Sequence, residues 1–148
     1  MGNKNIGYRL VKIKTNSFET KYEGYDFSNL KNSFNITTNY HADDETCSIG
    51  VNHVITFLQS EDSPFIKIDV LFVFELTKKT WDLFATDDKL VIPMEIAQVL
   101  NNISIGTSRG IIHTKTENTP FNNIILPPIV LDQLVDDDVS FVFSKSET

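Results

Sequence analysis

From Phe34 the chain alternates, with Phe34, Ile36, Thr38 and Tyr40 on one side and Asn35, Thr37 and Asn39 on the other. A period of two over that length predicts a half-buried strand. After the turn-like Ala42-Asp43-Asp44-Glu45 a second alternating run follows. In it Ile49, Val51, Ile55 and Phe57 share a face with His53, opposite Ser48, Gly50, Asn52 and Thr56. A third run, beyond a polar stretch ending at Pro64, puts Ile66, Ile68, Val70, Phe72, Phe74 and Leu76 on one face. Short links between three such strands predict an antiparallel meander. Upstream, Tyr8 to Ile13 is rich in β-formers and reads as an earlier strand. Between it and the meander, residues 21–32 carry Tyr22, Tyr25, Phe27 and Leu30 among Gly24, Asp26, Ser28 and Asn29. That stretch is too irregular for a regular element and too aromatic for an ordinary solvent loop.

Near residue 92 the period changes. Ile96, Val99, Leu100 and Ile103 recur at helical spacing, and Gly106 and Gly110 continue the stripe. Proline suits a first helical turn, so a long helix is predicted from Pro93 to Ile112. A short amphipathic piece from Ile129 to Val135 follows Pro127-Pro128, and Val139 to Phe143 is strand-like. The order of elements predicts an α+β domain: a four-stranded antiparallel sheet with a long helix and a short C-terminal helix on one face.

The 148 residues are the size of one domain, and no composition shift divides residues 1–148. Apolar residues at 41% and charged residues at 22% exclude disordered and fibrous classes. Thirteen Lys and Arg against twenty Asp and Glu give −7, which disfavours nucleic acid as a partner. A single cysteine points to a reducing compartment. No apolar run resembles a signal peptide at Met1 to Ile13, and none reaches the length of a membrane span. A cytoplasmic protein without membrane insertion is the expectation. The glycosylation patterns at Asn35 and Asn102 then go unused.

Catalytic signatures are missing: the chain has no phosphate loop, nucleophile elbow, paired-cysteine motif or His-Glu-x-x-His. The segment from His41 to Cys47 holds possible metal ligands, but bunched in one turn they read as a polar hairpin. His53 sits on an apolar face, where a hydrogen-bonded core histidine fits better than a general base, and His113 suits a helix C-terminus. No enzyme activity, metal or cofactor is expected. Binding is what remains. The aromatic loop, Phe72 and Phe74, and Trp81 to Phe84 supply more apolar surface than one sheet face obviously needs. Gly106 and Gly110 admit two readings, close packing on the sheet or close approach of helices from different subunits.

The C-terminal third carries Thr107-Ser108-Arg109-Gly110, Thr119-Pro120-Phe121 and Ile125-Leu126-Pro127-Pro128-Ile129-Val130-Leu131. This pattern resembles the closing signature of SecB-type export chaperones. Ser17-Phe18-Glu19 is similar to the end of that family's first strand, and the aromatic loop lies where the family has its crossover loop. The chain departs at Thr15, where the family usually has Asp, and at Thr20 and Lys21, where a proline is common. The resemblance implies a homotetramer, a dimer of dimers, meeting through Ile96, Val99, Ile103, Gly106 and Gly110. It implies an ATP-independent holdase for unfolded or precursor polypeptides, with SecA or an antitoxin as further partner and Glu19 as partner contact. The implied client groove is walled by Tyr22, Tyr25, Phe27 and Leu30, facing Leu131 and Leu134. A small-ligand-binding α+β domain and an assembly protein are the alternative readings.

Overall fold

The apolar faces read from the sequence converge on one side of a single sheet in the computed structural model, which describes residues 5–29 and 31–143. Four long strands, β1 (Tyr8–Thr20), β2 (Ser33–Asp43), β3 (Ser48–Leu58) and β4 (Pro64–Leu76), form an antiparallel sheet in the order β1-β4-β3-β2. The β2–β3 and β3–β4 pairs are tight hairpins, with Asp43 opposite Ser48 and Leu58 opposite Pro64. Cys47 closes the first turn with a positive φ of 53°, so the segment from His41 to Cys47 is a strand end and its turn. β1 returns to the far side of β4, and its register shifts between Leu10 and Lys12 and between Thr15 and Ser17. These bulges let one strand run from Tyr8 through Ser17-Phe18-Glu19, longer than β-propensity alone predicted.

Among the described residues, three helices and a second ribbon accompany the sheet. Thr77 caps α1 (Lys78–Phe84), its hydroxyl accepting from the Thr80 amide at 3.2 Å. The helix carries Trp81 into the core, 6.3 Å from Phe143. β5 (Lys89–Ile92) pairs antiparallel with β6 (Val139–Val142). The strand-like tail therefore has a partner that the sequence reading left unassigned. The long helix α2 spans Met94–Lys115, about 33 Å, and runs one turn beyond the predicted Ile112. The predicted helix from Ile129 to Val135 shrinks to α3 (Leu131–Leu134). Pro127-Pro128 keeps the chain extended on the N-terminal side.

The helix turns an unexpected face to the sheet. Ala97, Leu100, Asn101, Ser104, Ile105, Ser108 and Ile112 are its buried residues, whereas Val99, Gly106 and Gly110 are exposed and Ile96 and Ile103 half-buried. The apolar stripe read from spacing therefore points mostly away from the sheet, with Leu100 as its exception. The buried serines need no outside partner: Ser104 donates to the Asn101 carbonyl at 3.1 Å and Ser108 to that of Ser104 at 2.8 Å. Their small size lets the helix sit close to β3 and β4.

Beneath α2, Val51, Ile55, Phe57, Ile66, Ile68, Val70, Phe72 and Phe74 are each at most 1% exposed. Each such side chain stabilises the fold by about 1.5–3 kcal/mol before entropy is counted. Phe72, Phe74 and Trp81 are thus core, whereas Tyr22 and Phe27 of the aromatic loop remain exposed. His53 lies among them, fully buried, its Nδ1 2.8 Å from Thr38 Oγ1 and its Nε2 2.6 Å from Ser104 Oγ. Because Ser104 donates onward to Asn101, the consistent assignment is Nε2–H donating to Ser104 and Nδ1 accepting from Thr38. Burial pushes the His53 pKa down to about 4. On β1, Tyr8 and Ile13 pair with Leu76 and Phe72, and so face the core side, yet remain exposed at 40% and 48%.

Candidate functional site: an aromatic cap over Phe121

After α2 the chain runs back along the helix, and hydrogen bonds with α2 hold it there. Asn122 donates to the His113 carbonyl at 2.9 Å. Arg109 donates from Nε to the Leu126 carbonyl at 2.6 Å and from a terminal nitrogen to that of Pro127 at 3.0 Å. Further along, Gln98 donates to Asp132 and to the Val135 carbonyl, and the Met94 amide donates to Asp138. The motifs that carried the resemblance are therefore those that touch: Arg109 grips Leu126 and Pro127, and Thr119-Pro120 delivers Phe121 into the core.

Phe121 is fully buried and is the hub of the aromatic loop. Tyr22 stacks on it with ring centroids 4.7 Å apart and planes 11° from parallel, and Phe27 lies near-parallel to it at 6.2 Å. Tyr25 meets Phe121 edge-on at 4.9 Å and also touches Phe27 and Phe65, each at 4.7 Å. Phe65 continues the cluster to Phe57 in the sheet. Offset and edge-to-face pairs of this kind add about 0.5–1.5 kcal/mol each beyond the area they bury. The three loop rings differ in exposure. Tyr25 is half-buried and belongs to the cluster, while Tyr22 and Phe27 are 43% and 52% exposed.

Local chemistry shapes the loop. Gly24 adopts φ +81°, a conformation that side chains disfavour, and lets the Tyr25 amide bond the Tyr22 carbonyl at 3.1 Å. Asp26 accepts from both the hydroxyl and the amide of Ser28, which hold its carboxyl below the usual range.

The predicted groove is brought together only in part. Tyr22, Tyr25 and Phe27 form one patch, and Leu30 lies outside the described residues. Leu131 and Leu134, both half-buried, sit beside the N-terminal half of α2. The cap sits at the other end, beside His113, about 22 Å along the helix from Gln98. The loop rings therefore face Phe121 and Phe65, not Leu131 and Leu134. Exposed Ile125 and Val130 lie along the chain between Phe121 and Leu131. Glu19 is exposed on the sheet face turned away from α2, opposite Lys67. Gly106 and Gly110 have open space: a Cβ at Gly106 would meet only the Arg109 guanidinium, 3.9 Å away, and one at Gly110 nothing within 4 Å. Packing on the chain's own sheet is thus excluded as their role.

Sequence reasoning missed Phe65 and Phe121 as site residues. Phe121 was part of a quoted motif, but no local periodicity reveals that its partners come from the opposite end of the chain. Among the described residues no group of His, Cys, Asp and Glu side chains could hold a metal ion, and no helix is long and apolar enough to cross a membrane.

Neither a protein-family model nor any curated protein matches the sequence. Among solved structures, the chain is similar to the Mycobacterium tuberculosis SecB-like chaperone Rv1957, solved in complex with a ChAD peptide from the HigA1 antitoxin. The TM-score is 0.58 at 10% identity, over 84% of this chain and 91% of that one. A likeness at that identity is one of architecture, and in architecture this chain has the SecB-like fold.

Proposed function

We propose that this chain is a non-enzymatic, ATP-independent chaperone that holds unfolded polypeptide segments on the aromatic cap over Phe121. One observation carries the reading: Tyr22 and Phe27 stay half-exposed in a loop whose conformation is fixed by its own turn and by stacking on a buried ring. Exposed rings offer large apolar area with little side-chain entropy to lose, which suits contact with many sequences. The net charge of −7 helps keep a loaded complex soluble. The small-ligand alternative has less support, because Asn101, Ser104 and His53 fill the space beneath α2.

Of the two client classes, an antitoxin segment is favoured by the peptide bound to the similar chaperone. Export precursors handed to SecA in the cytoplasm are the second reading, and they draw on Glu19 alone. The assembly we propose is a homotetramer closed through the exposed side of α2, with Ile96, Val99, Ile103, Gly106 and Gly110 at the contact.

The test replaces Tyr22 and Phe27 together with Ser and leaves the half-buried Tyr25 in place. Each ring contributes about 1–2 kcal/mol as an anchor, so affinity for a reduced, carboxymethylated polypeptide that cannot refold should fall tenfold or more. The melting temperature should fall by several degrees, because both rings also stack on Phe121, so affinity is measured well below it, on folded protein. Unchanged affinity in the folded double variant would remove the cap as the client site.

A further inference from the structure

The cap's tip has few anchors of its own. Its internal bonds are short-range: Tyr25 to Tyr22, Asn29 to Asp26, Ser28 to Asp26, and Lys31 to Asn29. Among the described residues 26–29, the long-range polar tethers come from one side chain. Gln59, in the β3–β4 turn, accepts at Oε1 from the Asp26 amide at 2.9 Å. Its Nε2 donates to the Asp26 carbonyl at 2.9 Å and to the Asn29 carbonyl at 3.0 Å. Both amide protons and the amide oxygen are therefore used, and the side-chain orientation is settled by its partners. The turn that presents Gln59 is itself closed, with the Gln59 amide bonded to the Ser63 carbonyl and the Ser63 amide to the Ser60 carbonyl, each at 3.0 Å. A rigid hairpin thus grips the backbone of a loop some thirty residues upstream, on either side of Phe27.

We propose that Gln59 is a positioning residue for client binding: it fastens residues 26–29 so that Phe27 and Tyr22 are presented as a preorganised surface rather than a mobile loop. The inference rests on the cap being the client site. Gln59 need touch no client; its contribution is to remove in advance the ordering cost that a loose loop would incur on binding. A glutamine suits the task and its nearest relatives do not. Glutamate keeps the length but turns a carboxylate oxygen toward two carbonyl oxygens, leucine keeps the bulk but makes no bond, and asparagine is one methylene too short to span the same partners.

The experiment compares wild type with Gln59→Leu and Gln59→Glu in the full chain. It follows hydrogen exchange of the Asp26 amide, melting temperature, and affinity for the reduced, carboxymethylated polypeptide. Expected is loss of protection at Asp26 in both variants, a melting temperature within a few degrees of wild type, and affinity weaker by about five- to tenfold. Retained protection at Asp26 overturns the fastening. Lost protection with unchanged or tighter binding overturns the positioning role, and tighter binding would mark the loop as a lid. If Tyr22→Ser/Phe27→Ser binds like wild type, the cap is not the client site, and the exchange readout still decides whether Gln59 fastens it. If that double variant is weakened while Gln59→Leu is not, the positioning role alone fails.

Discussion

Acidification should loosen the contact between α2 and the sheet through one side chain. His53 is buried where β2, β3 and α2 meet, with the neutral Thr38 and Ser104 hydroxyls as its hydrogen-bond partners. Its pKa is lowered from 6.5 to about 4 in the fold. The sign follows from linkage. Above pH of about 7 both folded and unfolded chains hold the ring neutral, and the full contribution is present. As pH falls through about 6.5 the unfolded chain takes up a proton that the folded chain refuses, and stability drains until the folded form also protonates near pH 4. The loss amounts to about 2 kcal/mol at pH 5 and about 3 kcal/mol at pH 4. Urea unfolding of wild type and His53→Gln at about pH 7.5 and pH 5 isolates this share, because surface carboxylates affect both proteins alike. The variant should start less stable and lose about 2 kcal/mol less on acidification. Equal losses in the two proteins would refute the assignment of a neutral, proton-refusing His53.

Gly106→Leu should leave the monomer fold intact or stabilise it by about 0.5–1 kcal/mol, since a helix gains from losing glycine and the position is open. Light scattering should nevertheless show the mass falling below that of the proposed tetramer, and an unchanged mass places the subunit contact elsewhere. Arg109→Met should cost about 2 kcal/mol in urea unfolding, because it strips two charge-assisted bonds from the carbonyls of Leu126 and Pro127; a loss under about 0.5 kcal/mol would show that packing alone holds that segment.

The sheet was legible because alternation reports burial directly. Phe34, Ile36 and Tyr40, then Ile49 to Phe57, then Ile66 to Leu76 point as their period requires. The helix was legible in position but not in orientation. Its inward face uses Ala97, Ser104 and Ser108, whose small size suits close packing and whose hydroxyls are satisfied within the helix, so a count of large apolar residues found the opposite face. α1 and β5 escaped because each is shorter than the window in which periodicity can be judged. The cap was visible as an anomaly, aromatic residues in a stretch without period. Its partners Phe65, Phe121 and Gln59 were not visible, since contacts between distant segments leave no trace in local spacing.

The position of β1 beside β4 has a kinetic side. The two hairpins of the meander close over short spans, from Asp43 to Ser48 and from Leu58 to Pro64. The β1–β4 ladder must join Thr20 to Ile66 and Tyr8 to Leu76, separations of 66 − 20 = 46 and 76 − 8 = 68 residues. Closing the nearer of those spans costs about 2 kcal/mol more chain entropy than closing a hairpin of five residues. The meander should therefore assemble first and β1 dock last, although β1 leaves the ribosome before any of its partners. Until β4 is complete, 76 − 20 = 56 residues later, Tyr8, Val11, Ile13 and Phe18 wait unpaired, so a protein proposed to shelter unfolded segments begins its own life with one exposed.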